Sequence, residues 1–411
     1  MIYDKASLVQ IPSGYKASSA KLYSVIPSSG DGDFTVSSAT TGTRVNAEGL
    51  IEDTATDQAR LSRNFIDGEL QPDPFLLLEP TRDNLQVRSE EFDNTAWTKS
   101  NCTVSANQTT SPDGATTADK IIENSGSGSK KVYDGITTSS GTVYTWSVFL
   151  KADTRSKARL NIFGSYAEFD VANQTLLTQS GSTSYKIEEY GDGWGRFSIT
   201  ETANATSTLT YVYLLDDAGN VSYTGDGVSG LFVFGGQMEA GTYPTSYIPT
   251  TSAAVTRTVD TCENAGDDDL FNDTEGVLYA EIKGLADDDT FRFITLSDGT
   301  SNNTVRIYLY NAIYGRVLVG GVEQCVFSTT SYNVTDYNKI AILYSVNNFK
   351  MYVNGSQVGT TDTSGSTFPQ GTLDELSFHR GDSQFKFYGN CKNLQVFNEA
   401  LSDSELQALT S

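Results

Sequence analysis

The chain has 411 residues, with 28 Lys and Arg against 51 Asp and Glu, which gives a formal net charge of −23. At about 150 residues per domain, this length predicts two or three structural units. The acidic charge argues against nucleic acid and anionic membrane surfaces as partners. The single histidine, His379, allows at most one imidazole-dependent site, so the composition favours binding or structure over catalysis.

Residues 1–80 contain few hydrophobic clusters and many Ser, Thr and Gly residues. Closely spaced prolines in the segment 72–80 argue against a regular helix or a central strand. We expect an extended arm that cannot fold alone and therefore joins copies of the chain, as a homo-oligomer with a trimer favoured, or anchors the chain to other proteins. The amino terminus lacks a basic segment followed by an apolar one, so neither a signal peptide nor membrane insertion is expected.

From residue 81 onward, β-branched or aromatic runs alternate with turn residues at a spacing of about 8 to 12 residues, which is typical of an all-β sandwich or barrel. The run 143–150 is an example. Its residues Tyr144, Trp146, Val148 and Leu150 share one face, because side chains alternate along a strand, and we expect that face in a core. The pattern predicts a first antiparallel sandwich of jelly-roll type over residues 81–255.

The strand pattern lapses over residues 256–269, which predicts a linker, and new runs predict a second antiparallel sandwich over 270–411. Asn354 and Gly355 are a signal for a type I′ hairpin turn, since both residues tolerate positive φ. Ser402 and Glu405 form a capping box ahead of Leu406, which predicts one short C-terminal helix. The expected fold class is therefore all-β: an extended arm, two sandwiches and this helix.

The spacing of cysteines and acidic residues gives little support for a metal site or for a reactive thiol. Four cysteines lie far apart and are expected to be buried free thiols, namely Cys102, Cys262, Cys325 and Cys391. Acidic residues cluster at 267–269, at 287–289, and at Asp273 and Asp298. Such oxygen-rich loops can hold calcium, but their spacing is not that of an EF-hand. No cofactor is expected, and calcium stays open as an alternative to solvated acidic turns.

Several segments resemble those that recur in structural proteins of tailed bacteriophages, typically tail fibres, head fibres and spikes. They are residues 33–51, 75–85, 91–99, 111–120, 191–196 and 235–249. Together they cover about residues 33–260. The resemblance implies a carbohydrate-binding-module-like jelly roll in the first sandwich and a virion location after synthesis in the host cytoplasm.

The C-terminal part resembles laminin-G or concanavalin-like sandwiches. The similarity lies in residues 351–358, which contain the Asn-Gly turn, and in residues 394–406. Domains of this kind commonly bind glycans, although many serve only as packing modules. The resemblance implies a fold more definitely than an activity.

One strand offers a candidate sugar platform. In the run 305–310, alternation places Arg306, Tyr308 and Tyr310 on the face opposite to Val305, Ile307 and Leu309. If the apolar face is core, the Arg/Tyr face points outward and can stack on a pyranose ring while polar groups bind its hydroxyls. A subunit interface and an ordinary sheet surface are the alternatives.

Catalysis is the less favoured interpretation. A glycosidase needs two facing carboxylates at a spacing that sequence cannot show, and Glu188, Glu189, Glu281 and Asp374 are equally explained as surface charges. Trp97 and Trp194 are expected to pin turns against the core, and His379 is given no role. The sequence thus predicts no enzyme and no catalytic residue.

The leading hypothesis is a structural component of a bacteriophage virion, a tail fibre, spike or head fibre. It would contribute to adsorption by binding host-surface polysaccharide through several weak sites. Two alternatives remain at this point: a capsid-surface decoration protein without a receptor role, and a glycan depolymerase.

Overall fold

The computed structural model describes residues 2–12, 15–16, 21–181 and 183–411, and within them the chain folds into antiparallel β-sheets and one short α-helix. This confirms the predicted all-β class. The first part of the chain contains a 3₁₀-helix (Ile2–Lys5) and the strands β1 (Ala6–Gln10), β2 (Tyr15–Lys16), β3 (Lys21–Leu22), β4 (Phe34–Ser37), β5 (Gly42–Val45), β6 (Ile51–Thr54), β7 (Arg60–Ser62), β8 (Phe65–Ile66), β9 (Glu69–Leu70), β10 (Phe75–Leu78) and β11 (Arg82–Asn84).

The first sandwich follows in the chain. Its strands are β12 (Thr98–Ser100), β13 (Cys102–Thr109), β14 (Ala118–Glu123), β15 (Ser127–Thr137), β16 (Val143–Lys151), β17 (Lys157–Ile162), β18 (Ser165–Asp170), β19 (Thr175–Gln179), β20 (Ser184–Glu189), β21 (Trp194–Thr202), β22 (Ser207–Leu214), β23 (Ser222–Thr224) and β24 (Gly230–Ala240). One sheet has the order β12-β15-β22-β17-β18-β19, with β23 paired to β15, and the other has the order β13-β14-β24-β16-β21-β20.

The core of the first sandwich lies between these two sheets. On β16, Tyr144, Trp146, Val148 and Leu150 are all buried in it, as the alternation predicts. Val212 and Leu214 of β22 contribute from the facing sheet. Because each inward position alternates with an outward one, the other face of β22 points away from this core.

The last part of the chain completes the second sandwich. Its elements are β25 (Val255–Arg257), β26 (Thr261–Glu263), β27 (Glu275–Gly284), β28 (Arg292–Ser297), β29 (Thr304–Leu309), β30 (Ile313–Val319), β31 (Val322–Thr329), β32 (Asn338–Ser345), β33 (Lys350–Val353), β34 (Ser356–Gln357), β35 (Glu375–Ser377), β36 (Gly389–Phe397) and the helix α1 (Asp403–Thr410). A five-stranded sheet, β31-β30-β29-β28-β35, packs on an eight-stranded sheet of order β34-β33-β32-β27-β36-β10-β7, with β1 also paired to β36.

Three strands from residues 1–80, β1, β7 and β10, belong to the large sheet of this second sandwich, which corrects the expectation of an extended arm. β5 and β6 form a separate pair, as do β8 and β9, and Ile51 of β6 is buried beside Phe149 and Trp194 of the first sandwich. β1 pairs with β36, and β10 lies between β36 and β7. The prediction that prolines exclude a central strand here is also wrong, because the four residues of β10 fit between Pro74 and Pro80. Leu8 and Leu76 are buried with residues of β27 and β36. The segment has too few apolar side chains for its own core, but enough to complete another one.

The expected linker, residues 256–269, also carries structure. β25 pairs with β11, and β26 pairs with β4. Between these strands lies a buried charge network in which Glu79 contacts both Arg60 and Arg257, while Arg60 also contacts Asp260. Ser246 donates to Glu79 from its backbone N–H at 2.8 Å and from its hydroxyl at 2.7 Å. The network therefore ties the N-terminal segment to the end of the first sandwich and to the chain that leads into the second.

Local signals at the end of the chain are confirmed. Asn354 and Gly355 have φ values of 48° and 80° in the hairpin between β33 and β34. The Ser402 hydroxyl accepts from the N–H of Glu405, and the Glu405 carboxylate accepts from the N–H of Ser402, which is the predicted capping box. All four cysteines are buried and free. Within the described residues, no helix is long and apolar enough to span a membrane.

Candidate functional site

The predicted residues Arg306, Tyr308 and Tyr310 are on or directly after β29, in the middle of the five-stranded sheet of the second sandwich. Val305, Ile307 and Leu309 point from the same strand into the core and are fully buried there. The other three side chains therefore lie on the outer face of the sheet. This is the orientation that the alternation predicts.

Tyr308 belongs to a continuous group of rings on this outer face. Its ring stacks on Tyr314 of β30, with centroids 4.6 Å apart and planes 2° apart, and on Phe293 of β28 at 4.7 Å. Tyr310 stacks on Phe291 at 4.3 Å. The Phe385 ring contacts Phe291 edge-on at 5.7 Å. We call this set the aromatic face; its rings are Phe291, Phe293, Tyr308, Tyr310, Tyr314 and Phe385.

Exposure within the aromatic face is uneven. Phe385 and Phe291 are 48% and 37% exposed, whereas Tyr308 and Arg306 are only 8% and 4% exposed. The sequence interpretation placed Arg306, Tyr308 and Tyr310 together at the solvent. The large neighbours on β28 and β30 cover the centre of the strand, so a ligand would meet Phe291, Phe385 and Tyr310 before it meets Tyr308.

Three arginines border the aromatic face. Arg306 is directly opposite Arg316 in the β29–β30 pairing. Arg316 forms an ion pair with Glu323 at 2.8 Å, and Arg380 forms one with Asp382 at 2.5 Å. Arg306 donates from Nη2 to the carbonyl oxygen of Ser301 at 2.8 Å and lies over the Phe293 ring at 5.7 Å.

The electrostatic surroundings of Arg306 disfavour its charge. Burial, together with the positive charges of Arg316 and Arg380, lowers the pKa of Arg306 to about 10. The guanidinium is still protonated at pH 7. Its Nε is buried and has no hydrogen-bond partner among the residues that the structure describes.

Four rings of the aromatic face were missed by the sequence interpretation, namely Phe291, Phe293, Tyr314 and Phe385. Phe291 and Phe293 alternate at the start of β28, a signal that could have marked an outward aromatic pair. The contacts of this face with Tyr308 depend on the strand register, which pairs Phe293 of β28 with Tyr308 of β29, and Tyr308 with Tyr314 of β30. Sequence spacing within one strand does not contain this information.

A second group of aromatic rings lies on the outer face of the first sandwich. Tyr211 and Tyr213 of β22 stack with centroids 5.3 Å apart, and Tyr133 of β15 lies 5.2 Å from Tyr211. The Lys131 ammonium is 5.1 Å from the ring centres of Tyr211 and Tyr213. We call this group the tyrosine face. Its rings are partly exposed, because the alternation of β22 buries Val212 and Leu214 instead.

Polar side chains flank the tyrosine face on both sides. Asn161 of β17 is opposite Tyr211, and Thr98 of β12 is opposite Tyr133. Arg159 lies over the Tyr166 ring at 4.0 Å and forms an ion pair with Glu168. Rings in a row with hydrogen-bonding groups beside them are the arrangement that a pyranose requires.

The candidate catalytic carboxylates are distributed over different elements. Glu188 lines a cavity of about 330 Å³ between the two sandwiches, where it pairs with Lys186 at 2.9 Å. Burial raises the pKa of Glu188, but Lys186 and Arg196 outweigh it and the net shift is downward. Glu189 accepts from the Gly68 N–H at 2.8 Å. Glu281 is on β27, and Asp374 precedes β35. Glu188 and Glu189 thus have structural partners, and Glu281 and Asp374 lie on two other elements.

Acidic side chains in the turns near the second sandwich bind backbone N–H groups and an arginine of the same chain. Asp273 accepts the backbone N–H groups of Gly371 at 2.6 Å and Leu373 at 2.8 Å. Asp288 pairs with Arg292 at 2.6 Å. Within the described ranges, no group of three or more His, Cys, Asp or Glu residues is arranged to hold a metal ion.

The remaining aromatic and imidazole candidates are structural. Trp97 and Trp194 are buried, and their indole N–H groups donate to the carbonyl oxygens of Arg88 and Thr110, each at 3.0 Å. This agrees with the prediction that they pin turns against the core. His379 is buried, accepts from the Gly381 N–H at 3.0 Å and lies 3.4 Å from Glu263.

The second sandwich matches a known family model. Residues 267–407 match the model described as the Concanavalin A-like lectin/glucanases superfamily. The second sandwich thus has the concanavalin-like fold that the sequence resemblance implied. A comparison with curated proteins finds no match.

Among solved structures, the carbohydrate-binding module CBM40 of the Ruminococcus gnavus IT-sialidase, bound to α2,3-sialyllactose, is similar at 18% identity and a TM-score of 0.30, over 36% of this chain and 94% of that one. The SAP-like pentraxin of Limulus polyphemus is similar at 17% identity and a TM-score of 0.29, over 33% and 70%. The leech intramolecular trans-sialidase is similar at 19% identity and a TM-score of 0.30, and the match covers 36% of this chain and 26% of that one. Scores this low carry no conclusion about ligands or activity.

Proposed function

We propose that this protein is a non-catalytic glycan-binding protein that uses the tyrosine face and the aromatic face, one on each sandwich. The observation that carries the proposal is the tyrosine face, where Tyr133, Tyr211 and Tyr213 lie side by side across two neighbouring strands. A sugar ring presents C–H groups that stack on such rings, and its hydroxyls reach the polar side chains beside them. Asn161 and Thr98 are in position to bind these hydroxyls.

Two faces on one chain support binding by avidity. Taking the value for an aromatic pair, about 0.5–1.5 kcal/mol, as the scale for a sugar stacked on a ring, one face alone binds weakly. Repeated sugars on a polysaccharide engage both faces, and the second contact is then intramolecular, which raises the overall affinity by about 10²- to 10⁴-fold when the geometry permits it. A polymeric glycan is therefore the expected ligand class.

We test this proposal with the full chain on a glycan microarray. The double variant Tyr211→Ala/Tyr213→Ala should lose about 5- to 150-fold in affinity, from about 1–3 kcal/mol for two rings. Tyr185→Ala is the matched control, because Tyr185 is an exposed tyrosine on the other sheet of the same sandwich. Unchanged binding in this double variant and in Phe291→Ala/Tyr310→Ala would contradict the proposal. Release of reducing ends from a bound polysaccharide would contradict the non-catalytic part.

We further propose that the setting is the virion of a tailed bacteriophage, as a tail fibre, spike or head fibre that assists adsorption to the host. The support is the resemblance of residues 33–260 to phage structural proteins. Association into a homo-trimer would multiply the number of faces per particle. Labelled antibody against the second sandwich should decorate tail or capsid projections of purified particles, and absence of the protein from such particles overturns this setting.

A further inference from the structure

We propose that the aromatic face selects glycans that carry a carboxylate, such as uronic-acid polymers, and that Arg306 binds this carboxylate. The inference rests on the proposed function, since it names the class of sugar for one of the two faces. Three features of Arg306 support it: the guanidinium has no counter-ion in the described part of the chain, it lies beside two other arginines, and it contacts a ring of the aromatic face.

The first observation is that Arg306 lacks a counter-ion. The side chain is 4% exposed, yet within the described part of the chain it forms no ion pair. Its hydrogen bond runs to the neutral Ser301 carbonyl, and its Nε has no partner. Buried charges in proteins are normally paired, because removal from water is costly without a partner. An unpaired guanidinium in this position is the state expected before an anionic ligand arrives.

The second observation is a local excess of positive charge. Arg306 and Arg316 are directly opposite in the β29–β30 ladder, an arrangement of like charges that destabilises a sheet. Glu323 neutralises Arg316, and Asp382 neutralises Arg380. Three guanidinium groups therefore share two carboxylates, which leaves one net positive charge on a chain whose net charge is −23. A single carboxylate from a ligand balances the group.

The third observation connects this charge to the sugar platform. Arg306 lies over Phe293, and Arg380 lies over Phe385 at 4.6 Å. Phe293 and Phe385 contact each other at 6.1 Å, and Phe385 is one of the two most exposed rings of the face. A pyranose at the exposed Phe385 would thus lie beside Arg380 and next to Phe293, the ring over which Arg306 lies. A planar guanidinium also matches a carboxylate in geometry, which favours it over a neutral hydroxyl.

The experiment compares matched polymers. Polygalacturonate, alginate and hyaluronan are each tested beside a carboxyl-reduced form of the same chain, by calorimetry with the full protein. We expect at least one acidic polymer to bind about 10- to 100-fold more tightly than its reduced form, the effect of a charge-assisted hydrogen bond. Arg306→Met should abolish that preference, while Arg44→Gln, at a partly exposed arginine paired with Glu52, should preserve it.

A stability measurement separates ligand binding from a structural role. Methionine keeps the apolar stem over Phe293 and removes the unpaired charge, so Arg306→Met should leave the unfolding midpoint unchanged or raise it. A large fall in the midpoint would assign Arg306 to the fold instead. Equal affinity for acidic and reduced polymers overturns the inference and leaves glycan binding intact, whereas binding of no glycan overturns both. Displacement of the polymer by millimolar inorganic phosphate at constant ionic strength would assign the site to a free anion and also overturn it.

Discussion

Replacing Glu79 with Gln removes a buried carboxylate that contacts both Arg60 and Arg257. Burial raises the pKa of Glu79, but the charges of Arg257 and Arg60 and the hydrogen bond from Ser246 outweigh it, and the pKa falls from 4.5 to about 2. At about 1.36 kcal/mol per pKa unit, the charge of Glu79 contributes about 3 kcal/mol to folding. This lies at the lower end of the range of about 3–5 kcal/mol for breaking a buried ion pair.

The effect on the unfolding temperature follows from chain length. An unfolding entropy of about 2.1 cal/mol/K per residue gives about 0.9 kcal/mol/K for 411 residues that unfold as one unit. A loss of about 3 kcal/mol then lowers the midpoint by about 3–4 °C at pH 7. Calorimetry of the wild type and Glu79→Gln measures this difference. Glu52→Gln is the control, because its partner Arg44 is at the surface and such pairs contribute about 0–1 kcal/mol.

The pH dependence gives a second check. The pKa of Glu79 is lower in the folded state than in the unfolded state, so its contribution is complete above the unfolded value and is lost as pH falls toward the folded value. The difference between the wild type and Glu79→Gln should be constant above about pH 5.5 and should shrink from about pH 4.5 to pH 2. A difference below about 1 kcal/mol at pH 7, or one that does not change with pH, would refute the reasoning.

Two further substitutions test side chains that accept hydrogen bonds from the backbone, the helix cap Ser402 and the carboxylate of Asp273. Ser402→Ala removes the cap of α1 and should cost about 1 kcal/mol, measured by urea unfolding, while Gln407→Ala on the exposed side of the same helix should cost less. An equal cost for both would show that the cap does not stabilise the helix. Asp273→Ala leaves the N–H groups of Gly371 and Leu373 without their acceptor and should cost about 1.5–3 kcal/mol. Hydrogen exchange at Leu373 should accelerate strongly, and unchanged exchange there would contradict this role.

Features that depend on neighbouring residues were predictable from the sequence. The alternation in 143–150 placed Trp146 in the core, because successive side chains of a strand point to opposite faces and Tyr144, Trp146, Val148 and Leu150 share one of them. The burial of the other face, where Phe149 packs with Trp194 and Phe234, was not predicted. The capping box at Ser402 and the Asn354-Gly355 turn are set by local hydrogen bonding and by the φ angles that these residues tolerate. The outward orientation of Arg306, Tyr308 and Tyr310 follows from the same alternation.

Features that depend on pairing between distant segments were decided by the tertiary structure. The prolines around β10 argued against a central strand, yet β36 and β7 provide partners on both sides. The register across β28, β29 and β30 brought Phe293 and Tyr314 onto Tyr308, so the two predicted rings, Tyr308 and Tyr310, became part of a face of six. The same register placed Arg306 opposite Arg316, and no carboxylate in the described ranges forms an ion pair with Arg306. Sequence determines which way a side chain points along its strand, but the neighbours that cover or neutralise it come from strand order, which only the folded chain sets.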